Sequence, residues 1–157
     1  MAYVTGTGDV STGCIFCAAV TGEDDEGTRI LHRAAFSFVI LNTYPYNTGH
    51  LMIAPVRHIG ALEDLEPSER IELMELTTRA VEVIKEKMAA HGFNIGMNLG
   101  EVAGAGIPGH LHVHVVPRWG GDTNFMPIVA ETKVLPEMLA ETYAKLKPGF
   151  AAEPPTA

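Results

Sequence analysis

Cysteine is nearly missing from this chain, with two residues in 157, at Cys14 and Cys17. Two cysteines do not make the disulfide framework on which small secreted domains rely. Basic residues are scarce as well, 11 Lys and Arg against 19 Asp and Glu, for a net charge of −8. That balance argues against a nucleic-acid binder held by a basic surface, because such binding runs on Lys and Arg displacing counterions. It leaves room for a small anionic ligand, which responds to local charge rather than to the sum. No run approaches the roughly 20 apolar residues of a membrane span. The opening residues, MAYVTGTGDVSTG, combine neither a basic start nor an apolar run. No secretory signal is expected, and the expected location is cytoplasmic.

What the chain does have is an apolar fraction of 46% and a charged fraction of 19%, the balance of a soluble globular protein. Its length suits one domain with a core of its own. Residues 1–13 and 148–157 are rich in small residues, Pro and Gly, and read as loose ends around a domain over 14–147. Within that domain, Phe36–Asn42 (FSFVILN) and His50–Val56 (HLMIAPV) read as buried strands joined by the turn-rich TYPYNTG. A long helical pattern runs from Pro67 to His91, with Leu73, Leu76, Ala80, Val83 and Ile84 as its apolar stripe. Pro67 suits the first turn, Glu69 and Glu72 the positive end, and Lys85 and Lys87 the negative end. Gly92 reads as the C-cap. Phe93–Leu99 reads as a strand, GEVAGAGIPG as a glycine-rich loop, His110–Val116 as a strand closed by Pro117, and the residues after Pro136 as a last helix.

Three of the seven histidines occupy alternate positions of one segment, GHLHVHVVPRW: His110, His112 and His114. On a strand, alternate side chains share a face, so the three imidazoles stand about 6.6 Å apart in pairs while Leu111, Val113 and Val115 turn to the core. A merely solvent-facing strand gains nothing from three imidazoles that repel one another when protonated. A metal face and a nucleophilic, proton-handling face are the chemical readings. The preceding loop has glycines at 100, 104, 106 and 109, whose N–H groups can approach phosphate oxygens closely. No Gly-Lys-Ser/Thr follows, so this is not a P-loop. The pair CIFC has three readings: half of a metal site, a redox pair, or two small buried side chains. His32 and His91 read as ordinary structural residues, and Trp119 and Phe125 as packing or dimer contacts.

The run HLHVHVV resembles the signature of the histidine triad superfamily of nucleotide hydrolases and transferases. VILNTYPYNTGHLMIAPVRH is similar to its strand, turn and strand, NLGEVAGAG to its phosphate loop, and CIFC sits where many members carry a zinc-binding pair. The resemblance covers roughly residues 14–120 and looks closest to a bacterial branch that includes diadenosine tetraphosphate phosphorylases. It implies an α+β fold, a five-stranded antiparallel sheet with one long and one C-terminal helix, paired into a homodimer with a continuous sheet.

It also implies roles. His112 is the expected nucleophile, forming a nucleotidyl-histidine, with His114 on phosphate oxygens and His110 shaping the nucleophile's surroundings through its backbone. His50, Asn98, Gly104 and Gly106 are the expected phosphate contacts, and Asn42 the ribose contact. Cys14, Cys17, His58 and His110 are the implied ligands of a structural Zn²⁺. The expected activity is cleavage of nucleotide phosphoanhydrides, as a dinucleoside polyphosphate phosphorylase or hydrolase. The alternatives are a purine nucleoside phosphoramidate hydrolase and a nucleotide-binding regulatory protein with little turnover; a small-molecule nucleotide is the partner in each. One departure stands out. Where many relatives carry Gln and a hydroxyl before the triad, this chain reads AGAGIPGH, one residue longer and with neither. Uridylyl transferases carry Gln in place of the third histidine, so His114 points away from that branch.

Overall fold

The computed structural model describes residues 13–122 and 137–151. In chain order these form α1 (Ile15–Thr21), α2 (Asp25–Thr28), β1 (Ile30–Arg33), β2 (Ser37–Leu41), β3 (Leu51–Pro55), α3 (Pro67–Met88), β4 (Gly92–Met97), β5 (Val113–Arg118) and α4 (Leu139–Ala151). Short 3₁₀ turns at Leu62–Asp64 and Glu101–Ala103 interrupt the connections. The strands make one sheet in the order β1-β2-β3-β5-β4, every neighbouring pair antiparallel. This is the expected α+β architecture. No described helix is long and apolar enough to cross a membrane.

Alternation sorts the sheet into two faces. Val39, Leu41, Leu51, Ile53, Leu111, Val113 and Val115 pack with Leu73, Leu76, Ala80, Val83 and Ile84 of α3 and with Leu146 and Phe150 of α4. The alternate residues Phe38, Ile40, Met52 and Ala54 take the other face, where Phe16 and Ala19 of α1 cover them. The even-numbered triad histidines belong to this second face: Met52 stands opposite His114 in the β3–β5 ladder. The whole stripe foreseen on α3 is buried.

Several boundaries differ from expectation, each for a local reason. The ladder on the triad segment begins at Val113 and passes through Pro117 to Arg118, so His110 and His112 precede the strand. Their backbone is held by loops instead: His110 N–H donates to Ile107 O, and Leu111 N–H to Ile59 O. Helix α3 stops at Met88, capped by Ala89 in the left-handed region at φ 50°, and Gly92 opens β4 rather than capping the helix. Trp119 Nε1 donates to Met88 O and ties the end of β5 to the end of this helix. Helix α4 continues through Pro148 to Ala151, so residues 148–151 are not a loose end. Packing overrides the proline: Phe150 is buried, and a Cβ on Gly149 would lie 2.6 Å from Val83 Cγ1. Phe125 and Pro136 lie outside the described residues.

Glu69, in the first turn of α3, is only 4% exposed. Its carboxylate takes two charge-assisted bonds of 2.7 Å from Arg57, just past β3, and one of 2.8 Å from the Glu66 N–H. The Arg57 guanidinium holds the Glu69 carboxyl well below the usual range, at about 2 against an ordinary 4.5. A lowered folded-state pKa stabilises the native state fully above the unfolded value and loses that contribution as pH falls between the two. Arg57 is half exposed, which screens the pair. Glu69→Gln should therefore cost about 1–2 kcal/mol at pH 7 and flatten the fall in stability between pH 4.5 and 2. Urea unfolding across that range is the check; parallel curves for variant and parent would contradict it.

Candidate active site

The triad histidines are fixed by backbone groups from several elements. His110 is fully buried, and its Nε2 lies 2.8 Å from the carbonyl of Pro55, at the end of β3. A carbonyl can only accept, so Nε2 carries the proton and Nδ1 keeps its lone pair. His112 shows the mirror arrangement. Its Nδ1 lies 2.8 Å from the carbonyl of His110, so Nδ1 is the protonated nitrogen and Nε2 bears the free lone pair. His112 is 6% exposed, its ring set edge-on to that of the half-buried His114 at 4.8 Å between centroids. Burial lowers the pKa of His112. Burial, with His112 alongside, takes His114 down to about 4. Near neutral pH these rings are therefore uncharged, and the His112 lone pair is available for bond formation.

His50 sits elsewhere than expected. It has no exposed surface, and its Nε2 lies 2.9 Å from His114 Nδ1. It stands behind His114, with no surface of its own open to a ligand. Asn42 Oδ1 accepts from the Tyr44 N–H at 2.9 Å, which folds the turn before His50 and leaves the Asn42 amide nitrogen 3.4 Å from the His50 ring. The glycine-rich loop opens next to the triad. Met97 pairs with Val113, so Asn98 and His112 emerge at the same end of the β4–β5 ladder. Asn98 Nδ2 reaches Gly104 O at 3.4 Å across the loop, where Gly100 and Gly104 adopt φ 81° and 85°. Gly104 and Gly106 are exposed, and the Gly104 N–H donates to Glu101 O at 2.9 Å within the loop.

A second cluster adjoins the first. The ligand atoms of Cys14, Cys17, His58 and His110 lie within 4.8 Å of one another. Cys14 Sγ is 3.3 Å and Cys17 Sγ 3.6 Å from His110 Nδ1, and Cys17 Sγ is 3.2 Å from His58 Nδ1. Burial and the neighbouring Cys14 push the Cys17 thiol up, as expected for two sulfurs that share a site without a cation between them. Two soft sulfur donors and two imidazoles, with the His110 lone pair already aimed at the sulfurs, suit a tetrahedral metal ion. The Pro55 carbonyl on the far nitrogen is the outer partner that such ligands commonly have.

Three participants escaped the sequence reading. Phe16, between the two cysteines and 1% exposed, packs its ring 5.1 Å from His110 and 5.0 Å from His112. Tyr46 lies over His50 and His114, at 4.8 and 5.8 Å between centroids. The Pro55 carbonyl is the third. Only Phe16 carried a signal, its place inside the CIFC motif.

Several known proteins are similar to this chain. The chain is 48% identical over 131 residues to a Mycobacterium tuberculosis protein named AP-4-A phosphorylase, covering 83% of this chain and 67% of the relative. It is 34% identical over 96 residues to the Schizosaccharomyces pombe bis(5'-nucleosyl)-tetraphosphatase, 61% of this chain and 52% of that one. Among solved structures, a Zn-bound histidine triad family protein from Mycobacterium smegmatis superposes with a TM-score of 0.71 at 26% identity, over 90% of this chain and 95% of that one. The HIT domain matches residues 25–121, a span that leaves the cysteine pair outside but takes in all five strands and all three triad histidines. The chain is a member of the HIT domain family.

Proposed function

We propose that this protein cleaves the phosphoanhydride of dinucleoside polyphosphates by nucleotidyl transfer through His112. The observation that carries the reading is the bond from His112 Nδ1 to the His110 carbonyl, which leaves the Nε2 lone pair as the reactive one. Similarity to the mycobacterial AP-4-A phosphorylase supports the substrate class. In the first step Nε2 attacks the α-phosphorus, a P–N bond forms, and the P–O bond to the polyphosphate breaks. With diadenosine tetraphosphate, ATP departs and AMP stays on the imidazole. In the second step an oxygen of phosphate or water attacks the same phosphorus and the P–N bond breaks, giving ADP or AMP. The N–H groups of Gly100 and Gly106 and the Asn98 amide hold phosphate oxygens, and Asn42 the ribose. His114 holds the oxygen where charge develops, a role that preorganised donors fill without a bound magnesium.

His112→Asn should bind nucleotide nearly as well as the parent and lose several orders of magnitude in turnover, as loss of a nucleophile does. Protein quenched during turnover should carry AMP on His112 by mass spectrometry, and added phosphate should divert product from AMP to ADP. An adduct on His110 or His114 would overturn the assignment of the nucleophile, and product ratios indifferent to phosphate would leave water as the acceptor. A parallel assay on adenosine phosphoramidate separates this substrate class from the phosphoramidates.

The same proposal includes a structural zinc held by Cys14, Cys17, His58 and His110. Zinc–sulfur bonds of about 2.3 Å and zinc–nitrogen bonds of about 2.0–2.1 Å put tetrahedral S–N edges near ~3.5 Å. The three measured separations of 3.2, 3.3 and 3.6 Å bracket that length. Four protein ligands leave no open position for a catalytic water, so the ion supplies fold rather than chemistry. Two free thiols at such a site suit the reducing cytoplasm. Protein purified in metal-free buffers should retain about one zinc per chain, and Cys14→Ser with Cys17→Ser should lose it and unfold at lower temperature. A zinc-free preparation of equal stability would contradict the site.

A homodimer joined along β4 completes the proposal. That strand ends the sheet among the described residues, and its Ile95 is half exposed, an edge of the kind that proteins pair or cover. Light scattering should return twice the chain mass of 16.9 kDa. A single-chain mass at micromolar concentration would count against it.

A further inference from the structure

The ring of His50 is buried between two hydrogen-bonding groups. On one side the backbone N–H of Tyr46 lies 3.0 Å from Nδ1, and on the other Nε2 lies 2.9 Å from His114 Nδ1. A backbone N–H can only donate, so His50 Nδ1 must hold a lone pair. A neutral imidazole has a single N–H, which then sits on Nε2 and donates to His114 Nδ1. His114 is left with its own proton on Nε2. Asn42 Nδ2 lies 3.4 and 3.5 Å from the two nitrogens of His50, too evenly placed to choose between them.

We propose that His50 is a positioning residue that transmits the direction of the Tyr46 N–H to His114 and locks His114 as an Nε2–H donor. The proposal rests on the reading of His112 as nucleophile and assigns its neighbour's part in the same reaction. Two adjacent rings are thereby held in opposite tautomers by two backbone groups of opposite kind. The His110 carbonyl makes His112 a lone-pair donor at Nε2, while the Tyr46 amide, through His50, makes His114 a hydrogen-bond donor at Nε2. One ring can attack phosphorus and the other can donate to a phosphate or leaving-group oxygen; exchanging the two tautomers would leave neither able to act.

Reversal is opposed at every link. A proton on His114 Nδ1 would face the N–H of His50. Turning His50 over to accept it would set an imidazole N–H against the Tyr46 N–H, inside a site where His50 has no water contact. The Tyr46 ring, lying over both imidazoles, covers the relay. The burial that keeps His114 neutral acts in the same sense, since an imidazolium would need a proton on both nitrogens.

Nitrogen-15 NMR of the ligand-free protein reads the tautomers directly. The expected spectrum shows His114 with a bare Nδ1 and a protonated Nε2, and His50 likewise. A proton on His114 Nδ1 would overturn the relay whatever the activity. Two variants test its direction. In His50→Gln the side-chain oxygen can accept from Tyr46 while its NH₂ donates to His114, preserving the relay; His50→Leu preserves bulk alone. His50→Leu should lower kcat about 10–100-fold with KM changed less than about threefold, and His114 should show both tautomers. His50→Gln should recover most of the lost kcat and the single tautomer. Equal losses in the two variants, or loss confined to KM, would reduce His50 to packing and sink the proposal. An absent His112 adduct alongside the expected His114 tautomer would overturn nucleotidyl transfer and leave the relay standing.

Discussion

The ring and the carbonyl of His110 hold the site together. Nε2 is tied to Pro55, Nδ1 faces two thiols, and the carbonyl oxygen holds the ring of His112. Each of these bonds determines where a proton is absent as much as where it is present. The Pro55 carbonyl frees the lone pair that points at the sulfurs, and the His110 carbonyl frees the one on His112 Nε2. Because one residue takes part in both, the cysteine cluster and the ring of His112 share a backbone segment.

Phe16 ties them a second time. The helix that starts at Cys14 delivers this ring against His110 and His112 together, so the same short element supplies two thiols to one cluster and a wall to the other. An ion that orders residues 14–17 would therefore also set the apolar side of the surroundings of His112. Bonds from one side and packing from the other leave His112 little rotational freedom, the condition that preorganised catalysis requires.

How much of this was legible in the sequence depended on whether side chains or backbone atoms do the work. The period of two in HLHVHVV and the apolar stripe of α3 are written in side chains, and both faces of the sheet followed from them. The joining of Cys14 and Cys17 to His58 crosses 41 residues or more and to His110 more than 90, and it came from family resemblance alone. Pro148 and Gly92 were read by their usual habits, and tertiary contacts overrode both: Gly149 is held against Val83 in a helix that does not stop, and Ala89 caps α3 in place of glycine. His50 was identified as part of the site but assigned to the substrate, since a sequence does not show which of two histidines stands in front. The Pro55 carbonyl and the Tyr46 amide left no trace at all, because every residue has a carbonyl and nearly every one an amide.

The position of β5 within the sheet has a consequence for endurance. It has a neighbour on each edge, and Val113, the residue after His112, pairs with Ile53 on one side and Met97 on the other. A terminal strand frays at little cost, but a strand bonded on both edges separates only when the sheet does. His112 thus directly precedes a strand that is paired on both edges. Partial opening at α1 or α4 can strip its cover while His114 and the residue after His112 stay in the ladder.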